Sequence, residues 1–494
     1  MEIELKFSLL AADPVAMRQR LARLPVLSRR KAQHSVLQNT YFDTPDQQLR
    51  ANKVALRVRQ IGTAAAPQWV QTLKMGQGGG SALSQRGEWE FAVPTGALDP
   101  AQLQSTPWQD LDPDDTLFAA LVPQFVVSFA RTTWVVNWTD GSRVEVALDM
   151  GTVEASGASA PICELELELL AGKPEALFGI AKRIAKSVSL FPLHWSKSEQ
   201  GYQLAQKALH TPLHSQPVQL TGAMSIADVA AATLREMWTQ FTANLNHLRA
   251  SDDPEVLHQA RIGWRRFKSA LQLFRKHPGV VAAPALAPLR PLVLAMGHMR
   301  DLDVAAAETL PLFANAYAAG DPLCKARWKN MEKSLADAVR RQRTAVLGML
   351  KHPDVGSTLV AVTQWLEIQL PEGDVGRAVS RPAPVARWVL RRLTRLHARL
   401  KAQPVHSHDV QVQHRIRVLA KRLRYGVEAV WPLLPKREAK RWLHETTKLQ
   451  ENIGAARDIA NAVEIVQQLK VDTGIVEFLR GVAHGERMHA HGAR

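Results

Sequence analysis

Two short stretches of alternating charged and apolar residues, residues 1–7 and 163–169, have the composition of a chemical site. Successive side chains of a β-strand point to opposite faces, so each stretch would gather its charged side chains on one face. These side chains are Glu2, Glu4 and Lys6 in the first stretch, and Glu164, Glu166 and Glu168 in the second. Carboxylates balanced against bases are what a combined metal and anion site would use. A strand face that is only exposed to water is the alternative.

Five further segments have the β-branched and aromatic composition of strands, bounded by turn residues. They span residues 54–59, 68–74, 86–91, 126–138 and 143–149. Their basic side chains are Arg57, Arg59, Lys74, Arg86, Arg131 and Arg143. In an antiparallel barrel, interior and exterior side chains alternate along every strand, so these charged faces could line an enclosed polar cavity. An open sheet with one solvated face is the alternative.

Charge divides the chain into two different parts. Residues 1–210 contain 21 Lys and Arg against 21 Asp and Glu, whereas residues 211–494 contain 41 against 25, so the whole net charge of +16 lies in the second part. The balance of the first part suits a site that holds both a metal and an anion. The excess of the second part predicts a polyanionic partner.

Several classes of protein are excluded or disfavoured by composition. Cys163 and Cys324 are the only cysteines, which excludes a disulfide framework and a cysteine metal site. The first residues lack the basic and apolar regions of a signal peptide. The most apolar stretch, residues 280–296, is interrupted by three prolines and an arginine and is too short to span a bilayer. We therefore expect a cytoplasmic protein without a membrane partner.

The basic part contains an internal repeat. The segment that begins at His258 recurs at His414, 156 residues later, and Gly297–Asp301 recurs as Gly454–Asp458, 157 residues later. The segments that begin at His258 and at His414 are both predicted to be helical. Each helix would place one histidine and three cations within an arc of roughly 80°. The two stripes are His258, Arg261, Arg265 and Lys268, and His414, Arg417, Lys421 and Arg424, with Arg266 and Arg422 beside them.

Stripes of one charge sign lower helix stability, so an anionic partner explains them better than a face turned only to water. Nucleic acid is an unlikely partner, because the sequence contains no recognisable nucleic-acid-binding motif and few aromatic residues placed for base stacking. A chain of phosphates without bases fits better.

Two parts of the sequence resemble known protein families. Residues 1 to about 205 resemble the CYTH family, the triphosphate tunnel metalloenzymes. The matching motifs are Glu2-Ile-Glu4-Leu-Lys6, Tyr41-Phe42-Asp43-Thr44, Leu56-Arg57-Val-Arg59, Thr72-Leu-Lys74, Arg86-Gly-Glu88-Trp-Glu90, Arg131, Asp149-Met-Gly151, Glu164-Leu-Glu166-Leu-Glu168 and Ser196-Lys197. Residues from about 221 onwards resemble the CHAD domain, and the two histidine-containing stripes carry that resemblance.

The two resemblances together imply a multidomain α+β protein. Residues 1–205 would form an eight-stranded antiparallel β-barrel, a tunnel with flanking helices. Residues 206–224 would be a linker. Residues 225–494 would form an all-α domain of two four-helix repeats, roughly 225–375 and 380–494.

The CYTH resemblance implies hydrolysis of inorganic triphosphate to pyrophosphate and phosphate, with Mg²⁺ or Mn²⁺ as cofactor. The metal ligands would be Glu2, Glu4, Glu164, Glu166 and Glu168. The substrate would be bound by Lys6, Arg57, Arg59, Lys74, Arg86, Arg131, Arg143 and Lys197. The catalytic residues would be Glu2, Glu4, Lys6, Arg59 and Lys197. Glu88 and Glu90 are either helpers or partners in ion pairs within the barrel, and Tyr41–Thr44 is expected to be structural.

The CHAD resemblance implies binding of inorganic polyphosphate by the helical part. The binding residues would be His258, Arg261, Arg265, Arg266, Lys268, His414, Arg417, Lys421, Arg422 and Arg424. Three other functions stay open: a polyphosphate-binding or granule-targeting protein with little turnover, an adenylate cyclase of class IV type, and a thiamine triphosphatase.

Overall fold

Eight antiparallel strands close into a barrel in the first part of the chain. The computed structural model describes residues 1–10, 13–62, 66–76, 81–370, 384–404 and 409–492. Its strands are β1 (Glu2–Leu9), β2 (Gln33–Asp43), β3 (Val54–Ile61), β4 (Gln68–Met75), β5 (Leu83–Val93), β6 (Val122–Asn137), β7 (Arg143–Ala155), β8 (Ala158–Ala171) and β9 (Leu190–Pro192). Around the barrel the order is β1-β5-β4-β3-β2-β6-β7-β8, and β8 pairs with β1. The predicted eight-stranded antiparallel barrel is confirmed.

The first strand closes the barrel by pairing with three others. On one side its Glu2–Leu5 segment pairs with Leu83–Arg86 of β5, and its Phe7–Leu9 segment pairs with the short strand β9. On its other side it pairs with β8, in a register that places Glu4 opposite Glu168. The two acidic stretches recognised in the sequence are therefore neighbouring strands.

The barrel has a charged interior and an apolar exterior. In β1, Leu5 and Phe7 are fully buried in a core outside the barrel, whereas Glu4 and Lys6 are buried inside it. Helices cover the apolar outer face, which could not stay exposed to water without a large cost in free energy. Because each strand alternates, the same sequence pattern produces both the covering interface and the charged cavity.

Sixteen α-helices occur in the described residues. They are α1 (Pro14–Ala22), α2 (Gln48–Ala51), α3 (Trp108–Leu111), α4 (Thr116–Ala119), α5 (Glu175–Ala185), α6 (Lys197–Ala205), α7 (Ile226–His247), α8 (Pro254–Phe274), α9 (Arg290–Val304), α10 (Ala314–Ala318), α11 (Pro322–Leu350), α12 (Pro353–Gln364), α13 (Pro384–Lys401), α14 (Val410–Ala429), α15 (Lys436–Gln468) and α16 (Thr473–Gly492). None of the helices in these described ranges is long and apolar enough to cross a membrane.

Helices α7 to α16 form the second part of the protein. The histidine-containing stripes lie on α8 and α14, which pack against each other, and the two Arg-Asp pairs lie on α9 and α15. The corresponding motifs therefore occupy corresponding positions in the helix order. The boundary predicted between the repeats, near residues 375–380, lies outside the described residues, and the division into two four-helix repeats stays a prediction.

The segment between the two parts contains no helix or strand from residue 206 to 225. Hydrogen bonds attach it to α7: the Asn244 side chain bonds the Leu213 amide at 2.9 Å and the Leu213 carbonyl at 2.8 Å, and His247 Nδ1 contacts the Thr211 carbonyl at 2.8 Å. The predicted linker at 206–224 therefore runs along the helical part rather than spanning open solvent.

The barrel and the helical part share an extensive interface. Helix α12 packs against α5 and β9, where a Cβ atom on Gly356 would lie 2.5 Å from the Leu190 amide nitrogen. Only glycine permits this approach. Hydrogen bonds join Ser189 Oγ to the Leu350 carbonyl at 2.9 Å and Ser357 Oγ to the Ala185 carbonyl at 3.0 Å.

The packing between barrel and helices predicts which leucine of β8 stabilises the protein. Leu167 is fully buried and Leu170 is 40% exposed on the same strand. We expect Leu167→Ala to lower the free energy of unfolding by about 2–5 kcal/mol, because it leaves a cavity. The matched Leu170→Ala change should cost less than about 1 kcal/mol. Urea denaturation followed by circular dichroism measures both, and equal losses would contradict the assigned faces.

Candidate active site

A polar cavity of about 240 Å³ lies inside the barrel. Seven cationic and seven acidic side chains of the described residues line it. The cations are Lys6, Arg57, Arg59, Lys74, Arg86, Arg131 and Lys197, and the acids are Glu2, Glu4, Glu88, Glu90, Glu145, Glu166 and Glu168. The lining thus has no formal net charge, and its charges must be satisfied mainly by one another.

The cavity includes most of the residues that the sequence singled out for metal and triphosphate, with two corrections. Arg143 does not line it and is exposed at the start of β7, where an irregularity in register separates it from Val144. Arg143 is the first residue of the strand, and the part of β7 that lines the cavity begins at Glu145. Glu164 is buried behind the cavity wall, where its carboxylate lies 2.9 Å from Lys197 Nζ.

The first strand supplies a chain of tight ion pairs. Lys6 Nζ lies 2.7 Å from a Glu4 oxygen, and Arg86 donates to the same carboxylate at 2.5 Å. Burial alone would raise the pKa of Glu4, but Lys6 and Arg86 more than offset burial and lower it. Glu2 pairs with Lys74 at 2.8 Å and with Arg86 at 3.2 Å. The ion pairs therefore keep Glu4 ionised and fix both glutamate side chains in position.

One region of the lining has too few cations for its carboxylates. Burial, followed by the neighbouring carboxylates of Glu2, Glu88 and Glu145, raises the pKa of Glu168 to about 7. Burial also raises the pKa of Glu145. Lys74 is shared between Glu2 and Glu88, at 2.8 Å from each. An added cation would be stabilised here.

Another region has cations that are only loosely neutralised. Arg57 Nε is buried and has no hydrogen-bond partner among the described residues, and the carboxylates nearest to Arg57 and Arg59 lie 3.7–3.8 Å away. Burial, together with the charges of Arg57 and Arg131, lowers the pKa of Arg59 to about 10. Arg59 Nε donates to Asn39 Oδ1 at 2.8 Å, which orients the guanidinium. An anion would be stabilised between these arginines.

Helix α6 brings a lysine to the cavity from outside the strands. Ser196 caps the helix by accepting a hydrogen bond from the Glu199 amide at 3.1 Å, and Lys197 follows as its first residue. Lys197 Nζ contacts Asp149, Glu164 and Glu166 at 2.7–2.9 Å. Burial would raise the pKa of Glu166, but Lys197, Arg131 and Lys6 more than offset burial and hold it well below its usual range.

Two residues of this site were not among the predicted site residues. Glu145 lines the cavity, and the fully buried Asp149 receives two hydrogen bonds from Arg131, at 2.6 and 2.7 Å. Their alternation on β7 is the signal that could have identified them. Glu88 and Glu90 take the ion-pair role considered for them. The segment after Tyr41 is structural, since the Asp43 carboxylate accepts the Leu49 amide and the Tyr202 hydroxyl.

A second charged cavity, of about 580 Å³, lies between α8 and α14 in the helical part. Five predicted polyphosphate-binding residues line it: Arg261, Arg265, Lys268, Lys421 and Arg422. Burial, followed by the charges of Arg265, Arg417, Arg457 and Arg261, lowers the pKa of Lys421 to about 7. The stripes of the two segments therefore face each other and repel, which is the arrangement expected where a polyanion binds.

The other five residues predicted for polyphosphate do not line this cavity, and Arg417 among them is half-buried beside it, where burial and the charge of Arg457 lower its pKa. Arg266 is buried on the core side of α8, where it pairs with Glu236 at 3.1 Å, because the next residue along a helix is rotated by about 100°. Arg424 pairs with Glu428 at 2.9 Å. His258 is half-buried, His414 is exposed, and neither lines the cavity.

Sequence reasoning missed a group of arginines next to this cavity. Arg275, Arg392, Arg395 and Arg399 line an adjoining cavity of about 330 Å³, which shares Arg422 with the first one. Burial and the charges of Arg395 and Arg275 lower the pKa of Arg392. The signal was present in α13, where arginines recur every four residues from 387 to 399.

The crowded carboxylates around Glu168 predict a pH-dependent stability in protein freed of metal by chelation. A carboxyl whose folded pKa is raised lowers the stability of the fold as the pH rises from its ordinary pKa of 4.5 to the raised value of about 7, and the loss is complete above that value. We expect Glu168→Gln to raise the melting temperature at pH 8 and to change it little at pH 5. Glu154→Gln, on the exposed end of β7, is the control. An identical shift at both pH values for Glu168→Gln would contradict the assignment.

Comparisons with known proteins agree with this architecture. Residues 1–202 match the family model of the CYTH domain, and residues 198–467 match that of the CHAD domain. An inorganic triphosphatase from Haemophilus influenzae is 33% identical over 216 residues, which cover 42% of this chain and 56% of that protein. The chain thus spans little more than half the length of this curated relative.

Two solved structures share parts of the chain. A CHAD domain from Ricinus communis has 24% identity and a TM-score of 0.47, covering 57% of this chain and 92% of that one. A putative adenylyl cyclase from Hippeastrum with a dominant triphosphatase activity has 21% identity and a TM-score of 0.30, covering 41% and 96%. Because the CHAD match alone spans more than half of its residues, the protein belongs to the CHAD domain family, with a CYTH domain in front.

Proposed function

We propose that the barrel hydrolyses inorganic triphosphate to pyrophosphate and phosphate in a metal-dependent reaction. The observation that carries this proposal is the convergence of seven cationic side chains on a cavity of about 240 Å³. Arginine is suited to bidentate contacts with phosphate, and phosphoryl transfer is promoted mainly by positioning and charge neutralisation. The similarity to an inorganic triphosphatase supports the same activity.

The charge balance of the cavity supports a requirement for a divalent cation. Seven cations already face seven carboxylates, so a triphosphate would bring an excess of negative charge into an enclosed space. Carboxylate oxygens are donors that Mg²⁺ and Mn²⁺ accept readily. The raised pKa of Glu168 indicates that its region lacks positive charge, which fits a cation there. No group of three candidate ligands is already gathered around one point in the described residues, so the substrate would supply further oxygens.

The proposed ligands are Glu2 and Glu4 on one side, and Glu166 and Glu168 on the other. Glu164 fits a supporting role better, since it contacts Lys197 from behind the wall. When bound, the cation supplies Lewis acidity and lowers the pKa of a coordinated water. Which of the two metals is used stays a prediction, as does a cytoplasmic location.

The side chains of the barrel then have separable tasks. Arg57, Arg59 and Arg131 bind phosphate oxygens, because these cations line the cavity near one another, Arg57 is buried and the other two half-buried, and Arg57 Nε has no acceptor among the described residues. Lys6 and Lys197 hold Glu4 and Glu166 in place and offset charge that develops on the transferred group. Exclusion of bulk water by the closed barrel strengthens all of these interactions.

The cationic region gives a direct test of this function. We expect Arg59→Ala to lower kcat/KM for tripolyphosphate by about 10²–10³-fold, as loss of one preorganised donor does in other enzymes. Arg143→Ala, a strand arginine outside the cavity, should leave kcat/KM unchanged. Phosphate release with and without Mg²⁺ or Mn²⁺ measures both variants. Full activity of a folded Arg59→Ala protein would refute the assignment of the tunnel.

A substrate panel separates this activity from the alternatives. Metal-dependent turnover of tripolyphosphate above that of ATP and thiamine triphosphate is expected, because charged side chains make up most of the tunnel lining that the structure describes and suit a bare phosphate chain better than a base or a thiazolium ring. Preferred turnover of ATP to a cyclic product would favour a cyclase. Polyphosphate binding with no turnover of any of the three would favour the binding or granule-targeting protein.

We further propose that the helical part binds inorganic polyphosphate between α8 and α14. The supporting observation is the mutual repulsion of Arg261, Arg265 and Lys421 across one cavity. Trp264 and Tyr425 also line it, but they are only 8% and 7% exposed and offer little ring surface for stacking bases. A chain of phosphates therefore fits better than a nucleic acid.

Salt dependence provides the measurement for the helical part. We expect the affinity for polyphosphate to fall steeply with salt through counterion release, with a smaller slope in an Arg265→Ala/Lys421→Ala double variant. The affinity of that variant should fall at least about tenfold at low salt. Arg340→Ala/Arg341→Ala, on α11 and outside the cavity, is the matched control. Equal affinity of both double variants would exclude this site.

A further inference from the structure

A fourth cavity, of about 410 Å³, lies where the barrel meets the helical part. Ser8, Leu9 and Ile162 line it from β1 and β8, whereas Asn246 and Arg249 line it from the end of α7 and the residues that follow. None of the cationic side chains that line the tunnel faces this cavity. It is therefore a separate space that only the joined halves create.

Three charged side chains line this cavity, Glu164, Arg249 and the exposed Lys351, and Arg249 forms no salt bridge among the described residues. Its Nη1 donates to Ser8 Oγ at 2.7 Å and to Asn246 Oδ1 at 3.2 Å, and its Nη2 donates to the Leu9 carbonyl. These neutral partners fix the guanidinium without offsetting its charge. Its Nε is buried and donates no hydrogen bond to any of the described residues. Burial lowers the pKa of Arg249 to about 10, which reflects the missing anion.

The remainder of the lining is mostly apolar or neutral. Leu10, Leu193 and Trp195 provide an apolar surface. Burial lowers the pKa of His210, and that of His247 to about 4, so both imidazoles are neutral near pH 7. The Nδ1 atom of His210 is buried without a partner among the described residues and can serve as a second polar contact. A cavity of this size with few polar groups has the usual character of a small-molecule site.

We propose that this cavity binds a small organic carboxylate with an apolar body. The carboxylate would pair with Arg249, and the body would lie against Leu10, Leu193 and Trp195. The half-buried Arg249 guanidinium, whose hydrogen-bond partners are all neutral, matches a single negative charge, because a partly desolvated cation is stabilised by an anion. A highly charged phosphate chain fits poorly, since the neighbouring histidines stay neutral and the surface is apolar.

The position of this cavity links it to the tunnel. Glu164 and Gln200 line it, with the Gln200 amide donating to Glu164 at 2.5 Å, and Glu164 also contacts Lys197 at 2.9 Å. The Glu164 side chain therefore contacts both this cavity and a lysine that lines the tunnel. We expect an occupant to change the affinity of the tunnel for tripolyphosphate, and this consequence alone rests on the proposed function.

Calorimetry on the full chain tests the site itself. The probe is 1-naphthoate, and 1-naphthalenemethanol is the uncharged match with the same ring. We expect saturable binding of 1-naphthoate at one site, with an affinity at least about tenfold above that of the alcohol, as a charge-assisted pair requires. Absence of 1-naphthoate binding at millimolar concentration, or equal affinity of the alcohol, would overturn the proposal.

Variants locate the binding in the cavity. Arg249→Met should weaken 1-naphthoate binding by at least about tenfold. Ala250→Trp, which fills the cavity from an exposed position without removing a hydrogen bond of Arg249, should do the same and guards against misfolding of the first variant. Arg30→Met, on an exposed arginine remote from the cavity lining, should bind like the parent. Unchanged binding by Ala250→Trp would overturn the assignment.

A second titration examines the link to the tunnel. Tripolyphosphate affinity, measured with and without saturating 1-naphthoate, should change in the parent and stay constant in Ala250→Trp. If the tunnel binds no tripolyphosphate, the proposed function fails while the calorimetric site stands. If both ligands bind and neither affects the other, the link through Glu164 is refuted.

Discussion

The constraint on which this structure depends is the enclosure of fourteen charged side chains within one closed barrel. Buried charges are tolerated only when they are paired or hydrogen-bonded. Lys197 meets this requirement by contacting three carboxylates, and Glu4 by contacting Lys6 and Arg86. The equal numbers of acidic and basic residues in the first part of the chain are therefore required by the structure as well as by the function.

The enclosure also determines how the two parts of the chain are joined. Because the charged faces turn inward, the strands present their apolar faces outward, and these need a cover. Helices α1 and α5 provide part of the cover, and Val360 of α12 completes it from the helical part. The close approach at Gly356 and the hydrogen bonds of Ser189 and Ser357 then fix the junction.

Charge is not evenly neutralised in either part, and the exceptions are where ligands fit. Around Glu168 the carboxylates exceed the cations, while Arg57 and Arg59 lack close counterions. Between α8 and α14 the cations repel one another, and burial with this repulsion lowers the pKa of Lys421. Such a local imbalance of charge lowers the stability of the fold. Binding of an oppositely charged ligand offsets that loss.

Much of this arrangement could be predicted from local sequence patterns. Alternation in residues 1–7 and 163–169 predicted two charged strand faces, and β1 and β8 pair side by side with those faces inward. The duplicated histidine segments predicted two basic helices, and these became α8 and α14. Such predictions succeed because alternation and helical periodicity depend only on the backbone of a single element.

Other features depend on contacts between distant residues, which no local period contains. The position of Arg143 at the exposed start of β7 keeps it out of the cavity, and a rotation of about 100° along α8 turns Arg266 into the core. The arginines of α13 and Arg249 line cavities that exist only because other elements pack against them. The sequence by itself therefore determined which residues carry charge and on which element they lie. Only the tertiary structure decided which charges meet, because burial and pairing are properties of surfaces brought together by folding.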